Sequence, residues 1–353
     1  MMPREKRPRA IVAAVDLGRR DRPLEPELAE FCALIEAAGA QIVGQLVQHR
    51  ESVDPATLLG AGKVIELRTL AEDTDAELLF IFNDLRPRQR KNLAKAQSLP
   101  IIDRTMLILD VFAQHARSRE GKLQVELAQL RYRQSNLIGM GAELSRLGGG
   151  IGTRGPGETK LEVDRRRISM RVALLSRALA EVQTQRANRR PSSGADPLVA
   201  LVGYTNVGKS SLLNALAKSD ALVADRPFAT LDPTVRRVFL ADGRYIRLAD
   251  TVGFITDLPD ELVNAFRATL EELRGADLLI HVIDASNPDW PRQVRSVEAI
   301  LVDLELTQPR LTVFNKIDTA TSDHREPEGA LRVSARTGQG LDALRAAIVE
   351  ALA

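Results

Sequence analysis

The stretch "LVALVGYTNVGKSSLLNALAK", residues 198–218, runs a buried apolar strand into a helix through Gly203-x-x-x-x-Gly208-Lys209-Ser210. No other feature constrains the chain as tightly. Glycines let the backbone turn so closely that successive N–H groups converge on phosphate oxygens. They do so at a helix N-terminus whose dipole also favours negative charge. Lys209 can reach the β- and γ-phosphates and Ser210 Oγ can ligate Mg²⁺, with Tyr204, Thr205, Asn206, Val207 and Ser211 completing the cradle. An isolated match of this kind can be a chance glycine turn, so its company decides.

That company is extensive. "DTVG", Asp250, Thr251, Val252 and Gly253, follows the strand "RYIRLA". An acid at a strand end can hold a magnesium-bound water, and the Gly253 N–H can meet a γ-phosphate. "NKID", Asn315, Lys316, Ile317 and Asp318, ends the strand "LTVFNK". Asp318 can accept from both N1–H and N2–H₂ of guanine while Asn315 addresses the ring edge. Adenine offers no such donor pair, and a site of this type can discriminate by roughly 10⁴-fold, about 5.5 kcal/mol. "SAR", Ser334, Ala335 and Arg336, completes a base pocket in which the Ala335 N–H can donate to guanine O6. Switch I is expected at "RPFATLDPT", with Phe228, Ala229, Thr230, Leu231 and Asp232 near the phosphates. Either Thr230 or Thr234 can supply the second magnesium ligand, and Thr230 is the choice here. Proline after Asp232 favours an extended loop. Four motifs in chain order, each at a strand end, predict a GTP-hydrolysing domain.

The rest of the chain divides around it. Residues 1–103 alternate strands with amphipathic stretches and read as a small α/β domain, with helices near Pro26–Ala38, Val64–Leu70 and Pro87–Gln97. "GAGK", Gly60 to Lys63, is too short for a phosphate loop and reads as a turn. Residues 104–190 are helical apart from one glycine-rich stretch. Leu123, Leu127, Leu130 and Leu137 form one apolar seam, and Ile168, Val172, Leu175 and Leu179 another. Two long helices and a glycine tip make an antiparallel hairpin. A polar linker, 191–197, precedes the nucleotide domain, 198–353, where strands alternating with helices imply a mainly parallel sheet covered on both faces. The fold class is α/β.

Composition excludes several alternatives. Cys32 is the single cysteine and rules out an internal disulfide, which fits a reducing cytoplasm. The four histidines lack metal-ligand spacing, so no zinc site is expected. Apolar runs are strand-length, which argues against a membrane span, and the short basic N-terminus does not read as a secretory leader. The net charge of +2 says little about nucleic acid by itself.

Its distribution says more. "LGGGIGTRGPGETKLE", residues 147–162, carries G-x-G-x-x-G at Gly150, Gly152 and Gly155. A dinucleotide turn needs a buried strand directly before the glycines and a helix directly after. Here a polar helical stretch precedes them, and Pro156 and Gly157 delay the next helix. Between Arg117 and Arg190 there are sixteen basic residues against seven acids, among them Arg131, Arg133, Arg146, Arg154, Lys160 and the run Arg165, Arg166 and Arg167. A solvated coiled coil gains nothing from six glycines at its tip. A side-chain-poor tip, Gly148, Gly149, Gly150, Gly152, Gly155 and Gly157, flanked by arginines can enter a narrow RNA crevice while charge neutralises phosphates.

The set "GYTNVGKS", "FATLDPT", "DTVGFI", "NKID" and "GGGIGTRGPGETKLE" resembles the HflX family of translational GTPases, relatives of Obg, over nearly the whole chain. The resemblance implies GTP/GDP and Mg²⁺ as cofactors and the 50S ribosomal subunit as partner. The hairpin tip would lie in 23S rRNA near the peptidyl transferase centre. It further implies a cytoplasmic protein, monomeric when bound, with no DNA or integral membrane association, that splits stalled or idle 70S ribosomes. A large-subunit assembly GTPase, or an RNA-binding regulator using GTP only as a stability switch, remains open beside it. The sequence continues only one helix past "SAR", so the extra C-terminal domain of some members is not expected. After Gly253, where Ras-like proteins place a water-orienting glutamine, stands Phe254, whose ring cannot hold a nucleophilic water. Lys209 and Gly253 are thus the catalytic candidates, and slow intrinsic hydrolysis completed by a partner is expected.

Overall fold

The computed structural model describes residues 7–18, 23–147, 160–187, 196–217, 234–240, 242–256, 272–320 and 330–353. The expected switch I residues Phe228 to Asp232 and the glycine tip, Gly148 to Gly157 with Arg154, lie outside the described residues. The chain divides into two compact units, 1–114 with 126–178, and 115–125 with 179–353, so both long helices contribute to each.

In the first unit, strands β1 (Arg9–Asp16), β2 (Gln41–His49), β3 (Leu78–Ile81) and β4 (Ile101–Asp103) form a wholly parallel sheet in the order β2-β1-β3-β4. Helices α1 (Leu24–Ala37), α2 (Ala61–Asp73) and α3 (Pro87–Gln97) connect them. Parallel strands need such crossovers, which cover both faces and make the strands apolar throughout. Accordingly β1, "RAIVAAVD", is buried along its middle six residues. Ile11, Ala13 and Val15 pack with Leu67, Leu79 and Leu93. Phe31 of α1 meets Phe80 and Phe82 edge-on.

Two local expectations are corrected. Gly60 is the extended residue before α2, and Ala61, Gly62 and Lys63 are already its first turn, so "GAGK" opens the helix instead of forming a separate turn. Helix α4 (Arg104–His115) is also distinct from α5 (Arg119–Leu147). The break falls at Ser118, whose Oγ accepts from the Gly121 N–H at 2.8 Å and whose carbonyl accepts from Lys122. A serine that satisfies orphan N–H groups starts a new helix without needing proline or glycine.

Helix α6 (Lys160–Ala187) runs antiparallel to α5, with Arg171 on Glu126 at 2.7 Å and Gln134 on Ser169 at 2.9 Å. Both contacts are largely solvated and contribute little energy. The seams hold where side chains are described: Leu127, Leu175 and Leu179 are buried, and Leu123, Leu130, Ile168 and Val172 partly so, while the Leu137 side chain lies outside what is described. Arg165, Arg166 and Arg167 are exposed.

The second unit carries a six-stranded sheet in the order β10-β9-β8-β5-β7-β6. Strands β5 (Leu198–Gly203), β7 (Tyr245–Asp250), β8 (Leu278–Asp284), β9 (Arg310–Asn315) and β10 (Leu331–Arg332) are parallel neighbours. Strand β6 (Thr234–Phe239) joins β7 antiparallel at the edge. Helices α7 (Lys209–Ala217), α8 (Trp290–Asp303) and α9 (Leu341–Ala351) accompany it. Strands β5 and β8 are central and almost wholly buried. The C-terminal ends of β5, β7, β9 and β10 carry the motifs along one edge of the sheet, as the geometry of open parallel sheets requires.

Candidate guanine-nucleotide site

The loop Gly203–Gly208 leaves β5 and feeds α7, whose first residues are Lys209 and Ser210. Gly203 has φ +153°, and a Cβ there would stand 2.3 Å from the Val282 carbonyl oxygen. Gly208 has φ +90°, and its Cβ would stand 2.3 Å from Asn315 Nδ2. Both positions therefore require glycine for conformation and for space. Asn206 takes the left-handed conformation at φ 60°, which asparagine tolerates. The result is a backbone cradle with its N–H groups at a helix N-terminus.

Lys209 is buried, and its Nζ donates to the carbonyls of Gly203 at 3.1 Å and Tyr204 at 2.7 Å. Burial pulls its pKa down to about 8, against an opposing pull from the Asp250 carboxylate. Ser210 Oγ donates to Asp250 Oδ2 at 2.5 Å, so the hydroxyl and carboxylate expected around magnesium lie side by side. Two hard oxygen donors of this kind fit Mg²⁺, which takes oxygen ligands and retains water. Gly253 stands close to the phosphate loop: a Cβ on it would come within 2.9 Å of Thr205 Cα and 3.1 Å of Lys209 Nζ. Thr251 faces away, its hydroxyl donating to the Leu201 carbonyl at 2.6 Å. Thr234 is the first residue of β6 and pairs with Asp250 in the ladder.

Phe254 is 1% exposed, so its ring lies in the core instead of facing the cradle. Its backbone extends the phosphate loop as a parallel bridge to Tyr204. The Phe254 N–H donates to Gly203 at 3.1 Å, and the Phe254 carbonyl accepts from Thr205 at 2.8 Å. Tyr204 adds a side-chain clasp, its hydroxyl 2.8 Å from Thr256 Oγ1 and accepting from the Thr256 N–H at 2.9 Å. The segment that follows "DTVG", Phe254 to Thr256, expected to begin switch II, is thus laced directly onto the loop that would hold the phosphates. No motif spacing announces this clasp.

The base-pocket residues are tied to the phosphate loop. Asn315, 1% exposed, donates from Nδ2 to the Val207 carbonyl at 2.9 Å and accepts from the Ala335 N–H at 3.0 Å. Its amide braces the phosphate loop against the "SAR" turn. The Ala335 N–H, expected for guanine O6, is likewise engaged by Asn315. Asp318 accepts from Ser334 Oγ at 2.7 Å and pairs with Arg336 at 3.0 Å. The Ser334 hydroxyl, then local backbone, Arg336 and Lys316, hold its carboxyl below the usual range. The acceptor pair expected to meet a guanine edge is therefore kept ionised. Arg336 is itself 77% exposed and can swing away at little cost. Lys316, at φ 63°, reaches Asp284 at 2.7 Å across the loop, and Ile317 packs beside Phe314.

Among the described residues no group of histidines, cysteines and acids could hold a further metal, and no helix is long and apolar enough to cross a membrane.

Comparison with known proteins agrees with this geometry. Three family models cover the chain in succession: a GTP-binding GTPase N-terminal model over residues 25–113, a GTP-binding GTPase middle-region model over 115–192, and a 50S ribosome-binding GTPase model over 198–316. The chain is 48% identical over 343 residues to the GTPase HflX of Caldanaerobacter subterraneus subsp. tengcongensis, covering 96% of this chain and 79% of that one. It is 42% identical to the GTPase HflX of Escherichia coli strain K12, covering 94% and 80%. A crystal structure of SsGBP in complex with GDP matches with a TM-score of 0.53 at 25% identity, over 97% of this chain and 98% of that one.

Proposed function

Since the chain belongs to the HflX family of GTPases, we propose that it binds the 50S ribosomal subunit in its GTP state, splits stalled or idle 70S ribosomes in the cytoplasm, and leaves after hydrolysis to GDP. The exposed run Arg165, Arg166 and Arg167 carries the ribosomal reading. It lies on an arm with sixteen basic residues against seven acids, a distribution suited to phosphate backbones. The family description of residues 198–316 as a 50S ribosome-binding GTPase supports it. The glycine tip, Gly148 to Gly157, would lie in 23S rRNA near the peptidyl transferase centre, with the protein bound as a monomer.

At the nucleotide, the phosphate-loop N–H groups and Lys209 would hold the triphosphate. Lys209 would exchange its two carbonyl partners for phosphate oxygens in a buried setting where that charge acts strongly. Ser210, Asp250 through water, and Thr230 would hold Mg²⁺, which when bound neutralises charge on the β- and γ-phosphates. Thr234 is held in the β6 ladder opposite Asp250, which favours Thr230 as the second magnesium ligand. Gly253 would sense the γ-phosphate. A shift at Gly253 passes straight into the Phe254–Thr256 segment through its bonds to Gly203, Tyr204 and Thr205. With Phe254 buried, the water-orienting group would come from the bound particle.

Sedimentation of 70S ribosomes with the protein and a non-hydrolysable GTP analogue tests the proposal. Release of 30S subunits with the protein on 50S supports it. Intact 70S particles, with binding confined to large-subunit precursors, would place the protein in assembly instead.

A further inference from the structure

Away from the nucleotide site, the first unit contains a cleft of about 490 Å³ that no part of the mechanism uses. Three helices each present one face to it at i, i+3, i+4 spacing: Met106, Leu109 and Asp110 from α4, Gln129, Tyr132, Arg133 and Asn136 from α5, and Asp164, Arg167 and Ile168 from α6. The floor is rigid. Arg90 of α3 donates to Tyr132 Oη at 3.0 Å and to the Ile101 carbonyl at 3.0 Å, and both Arg90 and Tyr132 close onto Asp103. Burial and that carboxylate push the Tyr132 phenol up, so it stays protonated.

The lining is stratified by chemistry. Leu109 is buried, and Met106 and Ile168 are half-buried, making an apolar slot beside the Tyr132 ring. Gln129 donates to Asp110 at 3.2 Å and Asn136 to the Tyr132 carbonyl at 3.0 Å, and the remaining donor and acceptor positions of these amides, with the carboxylates of Asp110 and Asp164, suit the mixed edge of a nucleobase. Arg133 and Arg167 stand exposed at the rim. A polyphosphate inside the cleft would meet Asp110 and Asp164, which argues against a free nucleoside triphosphate. The cleft is also partly open, whereas small-molecule pockets enclose most of their ligand. A polymer whose backbone stays outside and whose base enters fits both facts. The adjoining Arg165 and Arg166 continue the positive rim along α6.

We infer that this cleft receives one unpaired RNA nucleotide, its base in the slot of Met106, Leu109 and Ile168 and its phosphates at Arg133 and Arg167. The inference rests on the RNA-bound reading above and names a contact within it. Single-stranded RNA is recognised in this way, by unstacked bases taken into a pocket while arginines hold the backbone.

Fluorescence anisotropy with a labelled, mixed-sequence single-stranded RNA of about 20 nucleotides, and with a duplex of equal length, tests it. The intact protein should prefer the single strand by about tenfold. Ile168→Trp, which fills the slot, should abolish the preference while GDP affinity and Tm hold. The double variant Gln129→Ala with Asn136→Ala, on the half-exposed wall, gives the same readout if the tryptophan disturbs folding. Equal affinity of the unaltered protein for both RNAs, or a preference that survives both variants, overturns the inference. Failure to bind 50S subunits with the preference intact would instead remove the ribosomal proposal and leave the cleft standing.

Discussion

Asn315 ties the Val207 carbonyl to the Ala335 N–H, so the phosphate loop and the base loop move as one piece. On the proposed reading guanine specificity would rest on Asp318, whose carboxyl Ser334 and Arg336 hold below the usual range. Asp318→Asn replaces an acceptor with a donor opposite guanine N1–H and N2–H₂. GTP affinity should fall by orders of magnitude, up to about 10⁴-fold, while xanthosine triphosphate, which carries a carbonyl at C2, should bind better. Competition binding with the two triphosphates reads this directly, and an unchanged preference would contradict the base assignment. Lys209 makes a second prediction at this scale. With its pKa at about 8 against 10.5 for an ordinary lysine, the folded chain binds fewer protons than the unfolded one between those values. Stability of the nucleotide-free protein should therefore rise with pH across that window and carry the full burial penalty below it. A bound triphosphate restores the ammonium, so binding takes up a proton above about pH 8, and affinity declines by up to about tenfold per pH unit. Titration calorimetry across that range checks it. A flat profile would mean that Lys209 is not the phosphate-facing cation.

At the scale of elements, the helical arm shows what pattern alone conveys. The seams of Leu127, Leu175 and Leu179 were legible because a 3.6-residue period needs no tertiary knowledge. The break between α4 and α5 was not, because a serine cap leaves apolar periodicity on either side undisturbed. Strands β5 and β8 were plain in the sequence because burial on both faces demands continuous apolar runs. The Asn315 brace, the Tyr204–Thr256 clasp and the α4–α5–α6 cleft join residues far apart in the chain, and no local spacing encodes them. Replacing Arg165, Arg166 and Arg167 with glutamate reverses charge on an exposed face without touching the seams. Affinity for 50S subunits should fall by at least about tenfold and become less sensitive to salt, with GDP binding unchanged. Filter binding at two ionic strengths measures both. Loss of GDP binding along with it would indicate misfolding of the nucleotide unit.

For the whole molecule, the account joins a nucleotide unit with a self-braced guanine pocket to an arm whose charge suits RNA. The order of motifs at the ends of β5, β7, β9 and β10 marks the nucleotide unit in the sequence, though not the brace within it. The arm's role came from charge and glycine content, together with a family resemblance that the relatives bear out. Phe254 connects the two halves of the argument. Its burial leaves the γ-phosphate pocket without a side chain after Gly253 to orient water, and its backbone makes switch II part of the phosphate loop. A partner that orders this segment would complete the site, and groups supplied in trans are worth about 10³–10⁵ in rate. The most direct measurement is single-turnover GTP hydrolysis by the protein alone and with saturating 50S subunits. The account predicts slow turnover alone and acceleration of at least about 10³-fold on the subunit, whereas equal rates in the two conditions would contradict it.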